Sequence, residues 1–197
     1  MREVELKSVA RDPDAVIAAL VEAGAEPAFA GRLSDRRFDT PDRTLAARDL
    51  MLRLRIYSNG GGQRASLEFK GPTQYAESYK VRDELGTDVQ DADVVVLLLE
   101  QLGYVVTREI DREIAQYACR GAMVRVERYP RMDALVEVEG TASTIEAAIT
   151  TTGLPRAGFT AERLVDFVRR FELRTGRRAA ICDRELAGDY RYGPADA

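Results

Sequence analysis

The chain has 197 residues, is 45% hydrophobic and 31% charged, and carries a formal net charge of −4, a soluble globular composition whose acidic balance gives duplex nucleic acid no electrostatic pull. Histidine is absent and Cys119 and Cys182 have no CxxC spacing, which excludes Ser-His-Asp and Cys-His catalysis, His-ligated zinc and a disulfide framework. Catalysis is left to carboxylates, Lys, Arg, Tyr or a hard cation on oxygen ligands; with no bilayer-length apolar run and no signal-peptide core, a cytoplasmic protein with no membrane partner is expected.

Arg2 to Lys7 reads as a strand with Glu3, Glu5 and Lys7 on one face and Val4 and Leu6 on the other, because strand side chains alternate. Asp12-Pro13-Asp14 opens a helix that Gly24 closes, by N-cap and first-turn proline at one end and glycine at the other. Arg32 to Thr40 predicts a strand bearing Arg36 and Arg37. Leu50 to Tyr57 alternates Leu50, Leu52, Leu54 and Ile56 with Met51, Arg53, Arg55 and Tyr57, and Asn59 to Gly62 turns it into a return strand ending at Lys70, the signature of a hairpin. Arg53, Arg55, Glu68 and Lys70 then share a surface.

Tyr79 to Leu85 places Lys80, Arg82 and Glu84 on one face. Asp91 caps a dense apolar helix that stops at Gly103. Tyr104 to Val106 and Ile110 to Tyr117 predict one strand or two, with Arg112 central. Ala122 to Tyr129 alternates Val124 and Val126 with Arg125 and Glu127, and Leu135 to Glu139 sets Glu137 and Glu139 opposite Val136 and Val138. Thr141 or Ser143 caps a short helix, Thr160 a last amphipathic one, and the polar tail from Gly188 is expected to be mobile. Two internal echoes are visible: Leu20 to Arg36 resembles Leu98 to Arg112 in its helix, Gly and Asp-Arg order, and Glu137 to Glu139, like Glu3 to Glu5, leads into a helix.

The apolar faces of these strands need helices over them, and the chain supplies about four amphipathic ones. The charged rows could then line a closed antiparallel barrel, the alternative being a half-open sheet with one solvated face. Clustered Lys and Arg suit phosphate; clustered Glu suits magnesium or manganese bridging phosphates. A mixed lining points to a metal-bound triphosphate.

Glu3-x-Glu5-x-Lys7, Arg53-x-Arg55, Phe69-Lys70-Gly71-Pro72, Arg82-x-Glu84, Arg112 and Glu137-x-Glu139, in that order, resemble the CYTH superfamily of triphosphate tunnel metalloenzymes, which includes class IV adenylyl cyclases and thiamine triphosphatases. The resemblance implies an α+β fold, an eight-stranded antiparallel tunnel with charged lumen and helices outside, spanning residues 1–175, with 176–197 as a partly mobile extension. It implies Glu3, Glu5, Glu137, Glu139 and Glu127 as carboxylates for Mg2+ or Mn2+. Lys7, Arg53, Arg55, Lys70, Arg82 and Arg112 would grip the triphosphate, and Glu3, Glu5 and Lys7 would carry catalysis. Ile110 stands where relatives often have Lys, and Glu127 where they often have Asp. The implied activity is class IV adenylyl cyclase-like, converting ATP to cAMP and pyrophosphate; hydrolysis of thiamine triphosphate or inorganic tripolyphosphate, and a non-catalytic triphosphate-binding module, are the alternatives. Partners are a triphosphate substrate and no nucleic acid, with a homodimer left open.

Overall fold

The computed structural model describes residues 2–76 and 79–191, with side chains from Val4 onward. Strand β1 (Arg2–Ala10) leads into helix α1 (Pro13–Glu22) and a long strand β2 (Glu26–Asp39); β3 (Met51–Asn59) and β4 (Gly62–Lys70) form the hairpin, and a short β5 (Gln74–Ala76) comes after it. Next come β6 (Tyr79–Val89), α2 (Ala92–Gln101), β7 (Val105–Cys119), β8 (Ala122–Arg128), β9 (Ala134–Glu139), α3 (Ala142–Thr151), α4 (Leu164–Thr175) and α5 (Asp183–Ala187).

All pairings are antiparallel, in the order β1-β9-β8-β7-β2-β3-β4-β6, and β6 returns to β1 to close the ring. β5 pairs with the start of β6, on the edge that β4 takes further along. Closure follows from the alternation. One face of each strand is apolar and is covered by helices: Leu6, Val124, Val126, Val136 and Val138 pack with Val16 and Leu20 of α1 and Ile145 and Ile149 of α3. On the opposite wall Leu54, Ile56 and Phe38 pack under Leu99, Val95 and Val96 of α2. Each fully buried aliphatic side chain contributes about 1.5–3 kcal/mol, so the outer faces hold the barrel together and the charged faces are left to the lumen.

The caps act as their sequences require. The Asp12 carboxylate accepts the Ala15 N–H at 3.0 Å, and Asp91 accepts the N–H groups of Asp93 and Val94. Thr160, expected to cap the last helix, does not: its N–H and C=O both pair with the Lys7 backbone at 2.8 Å. α4 starts instead after Arg163, whose N–H is taken by the Asp166 carboxylate at 3.1 Å. β2 begins before the expected Arg32, and the stretch around Arg112, read as one strand or two, is one. Residues 179–182, assigned to the C-terminal extension, are 6% exposed or less and dock through Ala180 on Arg131 and Ile181 on Asp111. The last part of that extension, 192–197, lies outside the described residues.

The ring order is unchanged when β1 is exchanged with β6, β2 with β7, β3 with β8 and β4 with β9. The axis of this approximate two-fold passes through the register pairs Glu3↔Arg82 and Leu33↔Arg112, and it swaps the two ends of the barrel. The N-caps Asp12 and Asp91 are equivalent, as are Gly24 and Gly103, both at positive φ. One echo in the sequence is therefore architectural. The shared Asp-Arg is not: Asp35 faces the lumen, whereas Asp111 faces outward and meets Arg32 at 3.1 Å. The other echo joins β1 and β9, which are neighbours rather than equivalents.

Candidate active site

The charged faces surround one cavity of about 200 Å³. Of the expected residues, Glu5, Lys7, Arg53, Arg55, Lys70, Arg82, Arg112, Glu127 and Glu137 all line it. The strand registers dictate this: Lys7 stands opposite Glu137, Glu137 opposite Arg125, and Arg53 opposite Glu68.

A continuous chain of ion pairs runs around the wall. Lys80 and Lys7 both bond Glu5, the latter at 2.8 Å, and Lys7 reaches Glu137 at 2.7 Å. Glu137 accepts from Arg125, which lies 3.3 Å from Glu127. Glu127 accepts from Arg112 at 3.0 Å, and Arg112 donates to Asp35 at 3.1 Å. Asp35 also takes two bonds from Arg55, at 2.9 and 3.1 Å, and one from Arg53, which bonds Glu68 as well. Lys70 pairs with Glu84 at 3.2 Å. Opposite signs alternate throughout, the condition under which buried charges are tolerated.

These partners fix the ionisation states. Burial alone would raise the Glu127 carboxyl, but Arg112 and Arg125 outweigh it and bring it down to about 2. Glu68 is likewise held at about 2 by Arg53 and Arg55 against burial. Asp35 lies well below its usual range, because Arg55, Arg53 and Arg112 overcome its desolvation. Glu5 is lowered by Lys7, Lys80 and Lys70 against the same opposing effect. Arg37 differs: burial, together with Arg53 and Arg108, pushes it down to about 9.

The balance of charge is uneven. Among the described residues, twelve Lys and Arg side chains line the cavity against six Asp and Glu. Arg37 Nε and Arg112 Nη1 are buried with no hydrogen-bond partner among the described residues. Orphaned donors beside surplus positive charge describe a seat for a polyanion. A CYTH domain profile matches residues 1–147.

The chain belongs to the CYTH family. No curated protein sequence matches it. Among solved structures it is similar to an adenylate cyclase candidate from Vibrio parahaemolyticus (20% identity, TM-score 0.73, covering 85% of this chain and 97% of that one). It is also similar to PH1819 from Pyrococcus horikoshii OT3 (22% identity, TM-score 0.69, 89% and 99% covered). A third is HpAC1 from Hippeastrum, an adenylyl cyclase candidate described as having a dominant triphosphatase activity (17% identity, TM-score 0.62, 91% and 98% covered). At these identities the likeness establishes the shared tunnel fold.

Within this CYTH tunnel the expected phosphate ligands differ in what they can offer. Arg82 donates Nε to the Gly71 carbonyl and Nη2 to the Asp49 carbonyl, both at 2.6 Å, so it braces the rim loops. Arg55 is committed to Asp35, whereas Arg112 keeps one open donor. Glu127, expected among the metal carboxylates, is 2% exposed and also accepts the Tyr129 hydroxyl at 2.5 Å; its oxygens aim arginines. Glu139 stands opposite Glu5 in the register but not on the cavity wall. Glu3 stands opposite Arg82, and its carboxylate lies outside the described residues.

For a cation, the donor set fits in kind. Glu5 and Glu137 converge on one positive charge, the Lys7 ammonium, and Glu5 is held ionised, as a ligand to a hard metal must be. Among the described residues no three carboxylates gather as a metal site.

Residues absent from the sequence expectation include Asp35, Arg37, Arg43, Arg108, Tyr129 and Arg163, all on the cavity wall. Asp35 is the hub of the arginine cluster. Arg37 and Arg108 are register partners, with Arg53 beside Arg37. The available signal was alternation, since Asp35 and Arg37 flank Arg36 on one face. Arg163 and Leu164 arrive from the start of α4, which alternation in the strands could not announce.

Proposed function

We propose that this CYTH protein is a divalent-metal-dependent enzyme that hydrolyses the phosphate chain of a triphosphate. The observation carrying it is the cavity's surplus, among the described residues, of guanidinium and ammonium groups, with buried Arg37 and Arg112 donors that have no partner among those residues. Such groups, fixed before substrate arrives, stabilise charge on phosphate oxygens without reorganising. Mg2+ or Mn2+ would be held by Glu5 and Glu137 with Glu3 and Glu139 close by in the registers, and would supply charge neutralisation and activation of a water.

The chain's own residues divide the work. Arg37, Arg53, Arg55, Lys70, Arg108 and Arg112 bind phosphate oxygens. Asp35 and Glu127 orient the arginines, so their role is positioning. Lys7, paired with both Glu5 and Glu137, balances their charge and would hold the two carboxylates in place beside a bound cation. The outward rim carries Leu50, Met51, Leu164 and Val165, an apolar seat for an organic group on the phosphate chain.

A second reading, cyclisation of ATP to cAMP and pyrophosphate, is favoured by that same rim, where a nucleoside could rest. Hydrolysis is favoured because water needs no such seat, and because HpAC1, similar in fold, is described by its triphosphatase activity. Incubation of the purified protein with tripolyphosphate, thiamine triphosphate and ATP, each with magnesium or manganese, separates them. Orthophosphate is expected. Release of pyrophosphate and cAMP instead would replace hydrolysis by cyclisation, and tight binding without product under any metal would make the protein a binding module.

A further inference from the structure

The two ends of the barrel are related by the approximate two-fold and are not alike. Towards the end where β2 finishes, the lumen layers are Asp35 with Ile110 and Arg37 with Arg108, and the rim beyond them carries Asp49 and Arg163, both partly open to solvent. At the equivalent positions of the other end stand Ile114 with Gly31 and Gln116 with Phe29. There the lumen face of β2, β3 and β7 is apolar and packed. Leu33 is 0% exposed, Ile114 and Tyr57 pack against it, and Phe29 joins them. Phe29 meets the Tyr57 ring edge-on, centroids 5.2 Å apart. The Arg64 guanidinium lies over Tyr57 at 4.0 Å and over Phe29 at 5.9 Å, capping the plug from the solvent side. Gly31, at φ +149, makes this closure feasible, since a Cβ there would sit 2.4 Å from the Ser58 carbonyl oxygen. None of Leu33, Ile114, Tyr57 and Phe29 lines the cavity, whose wall ends at Asp35, Arg55 and Arg112.

We infer that the tunnel is a blind cup with a single entrance, and that its substrates must present one unsubstituted phosphate terminus. The inference rests on the proposed triphosphate function and adds the substrate class. A phosphate chain cannot thread past Leu33 and Tyr57, because charged oxygens would lose their solvation against apolar surface with no partner. A chain therefore enters terminus first, its free end against the arginine floor and any organic group at the rim. Products leave by the way the substrate came.

The test uses the unmodified protein. Linear inorganic polyphosphates of increasing length are titrated with it at physiological ionic strength, and the mass of the complexes is read by light scattering. A cup seats one protein at each chain end, whatever the length; a through-passage loads further proteins along longer chains. In parallel, diadenosine triphosphate, substituted at both ends, should compete with tripolyphosphate at least about a hundredfold more weakly than ATP does. Loading that grows with chain length, or equal competition by diadenosine triphosphate, while tripolyphosphate still binds, would overturn the cup alone. Failure of tripolyphosphate itself to bind would overturn the proposed function and the cup with it.

Discussion

The two halves of the barrel share one topology and have come to do different things. Arg53 with Glu68 in one half corresponds to Arg125 with Glu137 in the other, by the registers Arg53↔Glu68 and Arg125↔Glu137. Around these shared pairs the residues diverge. Arg55 corresponds to Glu127, Lys70 to Glu139 and Asp35 to Ile114, as the pairings Lys70↔Glu84 and Glu5↔Glu139 show for the outermost set. The first half places Arg53 and Arg55 around Asp35, and the second places Arg112 and Arg125 around Glu127. A duplicated, symmetric barrel would have two equal mouths and mixed charge everywhere. Divergence at a few lumen positions has changed which charge stands where and has made one end unlike the other, without altering the strands that carry them.

The sharpest way to break this comparison is to make the same change at equivalent positions. Glu5 and Glu84 correspond, yet only Glu5 lines the cavity. Glu5→Gln should lower kcat by about a hundred- to a thousandfold, the scale of losing one preorganised electrostatic group, and should weaken metal dependence. Glu84→Gln should leave kcat within a few-fold of the parent. Steady-state kinetics over a metal titration measures both, and similar losses in the two variants would mean the halves are not functionally divided.

Asp35 supplies the next largest effect, on stability. It is 1% exposed and holds Arg53, Arg55 and Arg112. Asp35→Asn leaves their charges without their shared counter-ion, so a loss of about 3–5 kcal/mol in urea unfolding is expected. Tripolyphosphate, which would replace the missing charge, should recover part of it. A variant as stable as the parent would remove Asp35 as the hub.

How much of this could be read beforehand depends on where alternation survives. The charged rows on β1, β3, β4, β6, β8 and β9 were legible because those strands keep a strict period of two. The lumen and the ring came with them, and so did most of the basic cluster. β2 and β7 were not legible in the same way. Each carries a bulge, at Ala28 and at Thr107, where the registers slip, and one extra residue inverts the phase of the rest of the strand. Arg108 lies just past such a slip. Adjacent Arg36 and Arg37 gave no phase of their own, and the hub Asp35 was invisible without the pairing to Arg55. The plug was hidden for another reason. Leu33, Tyr57 and Ile114 sit on lumen-facing positions, and only depth in the barrel distinguishes an apolar floor from a lapse in the pattern.

Arg37 tests whether the arginine cluster was built for a ligand rather than for folding. Its charge is disfavoured by burial and by Arg53 and Arg108, and its Nε has no partner among the described residues. Arg37→Gln removes that unfavourable charge. Thermal stability should hold or rise slightly, whereas tripolyphosphate affinity should fall about tenfold or more, the worth of a charge-assisted hydrogen bond. Opposite signs for stability and binding mark a group strained for function. Calorimetric binding and a melting curve on one preparation suffice, and a destabilised variant with unchanged affinity would reverse the assignment.

The smallest and broadest effect is the response to acid. Glu68 from one half and Glu127 from the other are both held at about 2, against an unfolded value near 4.5. A carboxyl whose folded pKa is depressed contributes stability that is complete above the unfolded value and is lost as pH falls through the folded one. The urea midpoint should therefore be level from pH 7 to about 5 and decline between about 4.5 and 2, by an amount on the order of a few kcal/mol for each group. Glu127→Gln should show a shallower decline from its lower starting stability, because one titrating group is gone. A midpoint that already falls between pH 7 and 6 would mean that the arginines do not hold these carboxylates. The two halves would then be joined by something other than the ion pairs that cross between them at Arg112.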